Sequence, residues 1–523
     1  MELRNINDLE KAALGGRKEM LRFGVALFFI IGIILFTSSM QNGTGVVSIE
    51  LVVAAMIGGY MALNIGANDV ANNVGPAVGS KALTLTGAII LAAIFESAGA
   101  LIAGGDVIST IKKGIIDPGL INDPQTFIWL MMAALLAAAL WLNLATALGA
   151  PVSTTHSIVG GVLGGGIAAA GWDIANWNQV GAIAASWVIS PLLGGLVAAG
   201  FLMWIKRSIT YKDDMVLAAK KTLPLLIAIM AWAFSTYLIM KGLKKIWKVD
   251  FEVALLIGLG VGVAAYLIVR PLIARQANYL QNTKRSVNTL FTIPLIFAAA
   301  LLSFAHGAND VANAVGPLAA INDAITSQGI HSKAEIPLWI MVIGAIGISL
   351  GLLLFGPKLI RTVGSEITEL DQMRAYSVAM AASIVVIIAS QLGLPVSSTH
   401  IAVGGIFGVG FLREYLKRTY AKAIQEIKDH HQGEDEEEVN AYIRRFANAP
   451  IAEKKYMLAQ LKQKEAEVEL SKKERKTLNK VYQTELVKRS AFLKIVAAWV
   501  ITVPASAGMA ALIYFAIRGM MIP

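Results

Sequence analysis

The sequence predicts an all-α polytopic membrane protein: an inverted-topology internal repeat with broken or re-entrant helices at mid-membrane. Three observations predict it. Of 523 residues, 56% are hydrophobic and only 15% charged, and the apolar residues fall in long runs, as many membrane spans require. The block GANDVANNVGPAVGS at Gly66–Ser80 returns 241 residues later as GANDVANAVGPLAAI at Gly307–Ile321. PVSTTH at Pro151–His156 returns 244 residues later as PVSSTH at Pro395–His400. Near-equal offsets for two motifs mean a duplication of roughly half the chain.

The elements follow in order. Arg4, Lys11, Arg17, Lys18 and Arg22 precede a first apolar run, Phe23–Ser39, so the positive-inside rule places the N-terminus in the cytoplasm. A second span starts near Ile49 and carries the first polar block. Spans over Leu83–Ala103 and Phe127–Leu148 come next. The Gly-rich stretch Pro151–Gly171 reads as a re-entrant hairpin or a broken span. Val180–Ile205 ends at Lys206 and Arg207, and Leu223–Met240 and Phe251–Val269 follow. The second half repeats the pattern: Leu290–Ala305, Pro337–Phe355, Tyr376–Leu392, Pro395–Phe411 and Phe492–Ile517.

Counting the Gly-rich stretches as spans, an odd step separates the two polar blocks, so the second lies upside down relative to the first. Lys284 and Arg285, just before the second block's span, agree; Lys241, Lys244, Lys245 and Lys248 fit the scheme poorly. Inverted repeats with a site at mid-membrane are a transporter architecture. The match of Trp187-Val-Ile-Ser to Trp499-Val-Ile-Thr has an offset of 312, which exceeds 244 by 68. The surplus is a charged stretch with helical character. The expected division is residues 1–210 as first repeat, 211–250 as linking span and loop, and 251–412 as second repeat. A charged cytoplasmic helical insertion, 413–489, and the last transmembrane helix, 490–523, complete it.

The absence of cysteine excludes disulfides, thiolate metal sites and thiol nucleophiles. The net charge of +10 fits basic cytoplasmic loops and calls for no nucleic acid.

The motifs carry the chemistry. Asn68, Asp69, Asn72 and Asn73 sit at membrane depth among Gly66, Gly75, Pro76 and Gly79, where the backbone is expected to open. Opened carbonyls, amide oxygens and one carboxylate form an oxygen-rich cage for a hard cation or polar solute. Asn309, Asp310 and Asn313 repeat it. Pro151 and Pro395 suit the first position of a helix, which puts Ser153, Thr154, Thr155, Ser397, Ser398 and Thr399 in first turns. Hydroxyls and free amides at two opposed helix N-termini would surround a tetrahedral anion. Gln391 adds a donor beside the second motif. His156 and His400 end the motifs and stay outside the core site; His306 has no counterpart, because Ile65 stands there.

The paired GANDVAN and PVS(T/S)TH blocks resemble the inorganic phosphate transporter (PiT) family, in both halves of the chain. The resemblance implies a secondary transporter of phosphate driven by sodium or protons. Two intact GANDVAN blocks resemble its sodium-coupled branch. It also nominates Glu96, in IFESAGA, for coupling; the acid that many relatives carry before the second Ser/Thr motif is replaced here by Ala379 or Met380.

The reading is therefore a sodium–phosphate symporter of the cytoplasmic membrane. Ser153, Thr154, Thr155, Ser397, Ser398, Thr399 and Gln391 are its phosphate ligands. Asn68, Asp69, Asn72, Asn309, Asp310 and Asn313 are its sodium ligands. No cofactor is expected beyond sodium as coupled substrate; the partners are phosphate, sodium and lipid, with a homodimer left open. The alternatives are a proton-coupled phosphate or sulfate symporter, a channel, and a membrane-embedded phosphatase. Two symmetric copies argue against the phosphatase, which needs one asymmetric nucleophile–base pair.

Overall fold

The structure is a computed structural model. It describes residues 2–42, 48–104, 114–121, 123–242, 249–330, 336–391, 396–430, 436–448, 457 and 489–521. These residues are helical almost throughout: α1 (Glu2–Asn42), α2 (Ile49–Asn68), α3 (Val70–Gly79), α4 (Leu85–Ala103), α5 (Pro124–Leu148), α6 (Thr154–Ala170) and α7 (Trp177–Ile205). Then come α8 (Met215–Tyr237), α9 (Phe251–Ala277), α10 (Lys284–Thr289), α11 (Thr292–Asp310), α12 (Ala312–Ser327) and α13 (Leu338–Arg361). The last are α14 (Gln372–Gln391), α15 (Ser398–His430), α16 (Glu436–Asn448) and α17 (Arg489–Met521). Among the described residues, eleven helical segments are long and apolar enough to cross a membrane.

Local chemistry sets the ends. Ser48 caps α2 by accepting from Leu51 N–H at 3.3 Å, and Thr84 caps α4 from Gly87 N–H at 3.1 Å. Asp123 caps α5, whose first residue, Pro124, has no amide to satisfy. Gly149 ends α5 at φ 72°, a left-handed turn that an L side chain resists.

The chain falls into two units, Met1–Gly408 with Lys488–Pro523, and Val409–Val487. In the second, Val439, Tyr442, Ile443 and Met457 are buried, and Tyr442 OH donates to Met457 O at 2.9 Å.

The first unit is built twice. α2 packs on α13, and α11 packs on α4. Gly66 lies against the Ile348 carbonyl of α13, and Gly307 against the Glu96 carbonyl of α4; a Cβ at either glycine would collide with that backbone. Thus α4 is the counterpart of α13, at an offset of 252, and Ile348 is the counterpart of Glu96. Ala379 and Met380 lie elsewhere, on α14. Around this centre stand two arms. α5 and α6 pack with α17, and α14 and α15 pack with α7. Gly164 of α6 meets Ala507 of α17, and Gly408 of α15 meets Gly195 of α7, the same contact displaced by 244 and 312.

The Gly-rich stretch after α5 resolves as half of a hairpin. Asp117 N–H bonds Ile174 O (2.8 Å) and Asn176 N–H bonds Ile115 O (3.0 Å), so the segments before α5 and after α6 are tied together. The chain enters by α5 and leaves by α6 on one side, and the turn between them reaches the polar block.

Candidate functional site

Each polar block interrupts its helix at one residue, Asp69 between α2 and α3, and Val311 between α11 and α12. The opening is narrower than the sequence suggested. Asp69 keeps helical angles (φ −80°, ψ −41°), and Pro76 sits inside α3, away from the break. Among the described backbone hydrogen bonds, the ladder resumes with Asn72 N–H to Asp69 O (3.0 Å) and Ala314 N–H to Val311 O (3.1 Å). A one-residue break costs few bonds, and buried backbone with little access to water tolerates no more.

The Ser/Thr motifs also start later than Pro151 predicted. Ser153 is the N-cap of α6, its Oγ accepting from His156 N–H at 3.2 Å, and Ser397 does the same for His400 N–H at 3.1 Å. Those two hydroxyls are occupied as caps. Pro395 lies outside the described residues, and so does the side chain of Gln391.

The remaining hydroxyls meet the polar blocks. Thr154 donates through both its hydroxyl and its N–H (3.3 Å) to Asp69 Oδ2. Ser398, its counterpart, donates to Asp310 Oδ2 at 2.7 Å. The asparagines then cross between repeats. Asn72 Nδ2 donates to Thr399 Oγ1 (2.9 Å), and Asn313 Nδ2 donates to Thr155 Oγ1 (3.3 Å). Asn68 clamps the hairpin turn instead. Its Nδ2 donates to Thr146 Oγ1 (3.0 Å) and Ala150 O (3.2 Å), and its Oδ1 accepts from Val152 N–H (3.0 Å). Its counterpart, Asn309, turns to Asp310 Oδ1, at 2.8 Å.

Glu96 enters the same network from α4. Its Oε1 accepts from Asn73 Nδ2 (2.8 Å), and its Oε2 lies 2.7 Å from His306 Nδ1. The other ring nitrogen, Nε2, is 2.8 Å from Asp310 Oδ2 but outside hydrogen-bond alignment. Asp69, His306 and Asp310 each bring one ligand atom within 4.8 Å of the others, all buried. Sequence reading puts Asn73 in the first cage without naming it a ligand and gives His306 no role, yet both belong to the site. The signal lay in the departures between the two blocks, since Ala314 and Ile65 stand at the paired positions. At the place equivalent to His306–Glu96, the structure has Ile65 and Ile348.

Four buried oxygens of these blocks have no donor: Asp69 Oδ1, Asn72 Oδ1, Asn73 Oδ1 and Asn309 Oδ1. All are hard acceptors, and none of the described site residues offers them a proton.

A duplicated helical bundle with acceptors and hydroxyl donors converging at the breaks in its spans is a multi-pass membrane transporter. A family model described as "Phosphate transporter family" matches residues 65–510, and the chain belongs to that family. Its members are transporters, not enzymes. The chain is 53% identical over 530 residues to a "Putative phosphate permease" of Helicobacter pylori, covering 99% of each. It is 38% identical over 365 residues to another of that name from Pyrococcus abyssi, covering 69% of this chain and 89% of the relative. A solved structure described as "The sodium-dependent phosphate transporter" superposes with a TM-score of 0.73 at 30% identity, covering 91% of this chain and 100% of that one.

Proposed function

We propose that the protein imports inorganic phosphate across the cell membrane by sodium symport. The observation that carries the reading is the set of four donorless acceptors, one of them on Asp69, beside the Asp310 carboxylate. Oxygen-only ligation suits a hard cation, and sodium is the coupled ion named for the structural neighbour. A proton alone would satisfy one of these oxygens and leave the rest unpaired. Asp69, Asn72, Asn309 and Asp310 are the proposed cation ligands, with Asn73 added to them. Asn68 and Asn313 hold the hairpin turn and Thr155.

Thr154, Thr155, Ser398 and Thr399, with the amides of the first turns of α6 and α15, are the proposed phosphate donors. Ser153 and Ser397 contribute by capping. Coupling follows from where the hydroxyls point. Thr154 and Ser398 spend their protons on Asp69 and Asp310. A phosphate charge about 5 Å from a carboxylate is repelled by roughly 3 kcal/mol at an effective dielectric near 20. Sodium at the carboxylates removes that repulsion and releases the hydroxyls to turn toward phosphate. The two repeats are proposed to lie inverted in the membrane, so that exchange of their conformations alternates access. On this reading the N-terminus and residues 413–489 face the cytoplasm, as the basic residues before the first span suggest.

The test is phosphate uptake in proteoliposomes at fixed pH, with sodium replaced by potassium or choline. Uptake is expected in sodium alone. Equal uptake in all three salts refutes sodium coupling and restores the proton-driven reading; competition by sulfate at equal concentration refutes the choice of substrate.

A further inference from the structure

Four rings form a continuous stack of contacts between the two arms, near face-on at its two ends and edge-on at its middle. Trp187 of α7 faces His156 of α6 (centroids 3.9 Å apart, 36° between planes). His156 meets His400 of α15 (4.2 Å, 79°), and His400 faces Trp499 of α17 (3.8 Å, 26°). Because α6 and α17 belong to one arm and α7 and α15 to the other, every contact in the stack crosses between arms.

The order of the rings reads the same from either end. His156 and His400 differ by 244, Trp187 and Trp499 by 312, the offsets of their helices. Exchanging the repeats therefore maps the stack onto itself, which places it on the internal two-fold axis. Ser97 and Ser349 lie on that axis too. They differ by 252, their hydroxyls are 2.8 Å apart, and they contact the Ala345 and Ala93 carbonyls in turn. Away from the axis the repeats differ. Asn68 Oδ1 accepts from Val152 N–H, whereas the counterpart, Asn309 Oδ1, has no partner.

This difference has a mechanical meaning in a transporter whose end states exchange the conformations of its repeats. A contact off the axis exists in one form here and in the swapped form in the other state. A contact on the axis is its own counterpart and persists through the exchange. Few directional bonds fix the angle: Nδ1 and Nε2 of both histidines are buried without an aligned hydrogen bond, and the one backbone group that acts on either ring is that of Trp187 on His400. Ring-on-ring contacts, face or edge, tolerate rotation and slippage better than directional hydrogen bonds do.

We propose that the Trp187–His156–His400–Trp499 stack is the bearing on which the two arms rock, kept intact in both end states, and not a gate that opens. The proposal rests on the transport reading above. A failure of sodium coupling would appear in unmodified protein as sodium-independent uptake, and would leave the comparison below unaffected.

The chain has no cysteine, so introduced pairs act alone. His156→Cys with His400→Cys, joined by a short reducible bis-thiol bridge, puts a covalent link on the axis. Ala147→Cys with Lys358→Cys puts one off it, where Lys358 Nζ donates to Ala147 O at 2.5 Å between α13 and α5. Phosphate uptake is measured before linking, after linking and after reduction. The on-axis link is expected to leave uptake within about twofold of the unlinked protein, and the off-axis link to reduce it reversibly to background. Arrest by the on-axis link overturns the proposal. So does uptake that survives both links, since the arm that holds α5 then does not rock against the centre. Should the cysteine pair at the stack fail to insert, His156→Phe with His400→Phe retains rings without nitrogens. Uptake by that variant supports the bearing, and loss of uptake with phosphate binding intact overturns it.

Discussion

Thr154→Val tests the coupling argument directly. The substitution keeps the volume of the side chain and removes one hydroxyl, which in this structure donates to Asp69 Oδ2. The backbone N–H of residue 154 still reaches that oxygen at 3.3 Å, so the first turn of α6 keeps its anchor. On the proposed coupling, sodium frees the hydroxyl for phosphate, and a hydrogen bond to a charged group contributes about 1.5–3 kcal/mol. Phosphate binding in sodium should weaken by roughly 10- to 150-fold. The same coupling keeps the hydroxyl on Asp69 in choline, so affinity there should scarcely change. The sodium-induced tightening of phosphate thus shrinks, and by linkage the phosphate-induced tightening of sodium shrinks by the same factor. Calorimetric titration of wild-type and variant protein in both salts, in both orders of addition, measures all four constants. An equal loss in sodium and in choline makes Thr154 a ligand without a switching role and refutes the argument; no loss in either removes it from the site.

Other perturbations probe the scaffold. Glu96→Ile or His306→Ile alone strands a buried partner and should cost about 3–5 kcal/mol, read as a fall in Tm. The double variant should recover most of it, because Ile65 and Ile348 already fill the equivalent place in the other half; a double variant no more stable than the singles counts against the pairing. Asn68→Ala removes three hydrogen bonds from the hairpin turn, a loss of roughly 2–4 kcal/mol, and should raise amide exchange around Val152. Unchanged exchange there would show that the clamp is idle. Gly66→Ala and Gly307→Ala drive a methyl into the Ile348 and Glu96 carbonyls and should abolish the monodisperse protein in size-exclusion profiles; a normal profile would mean that the helices can separate without penalty.

The membrane class, the duplication and the two motif pairs were legible in the sequence alone. They are one-dimensional signals: apolar runs long enough to span, and polar blocks that no wet helix face explains. The same signals marked Asp69, Asp310 and the Ser/Thr motifs as a site. Which atom meets which depends on helix rotation and crossing, and these come from packing. Pro151 looked like the start of α6, but Ser153 holds that place because its hydroxyl caps the turn. The crossed pairs Asn72–Thr399 and Asn313–Thr155 join residues 327 and 158 apart, a distance over which no local pattern operates. The relation of α4 to α13 was hidden because, around the Glu96 and Ile348 positions, IFESAGA and IGISLGL share only an Ile, a Ser and a Gly at equal spacing. Only the close approach of Gly66 to one carbonyl and Gly307 to the other aligned them. That alignment paired Glu96 with His306 across 210 residues, and set two isoleucines where symmetry would have placed a second such pair.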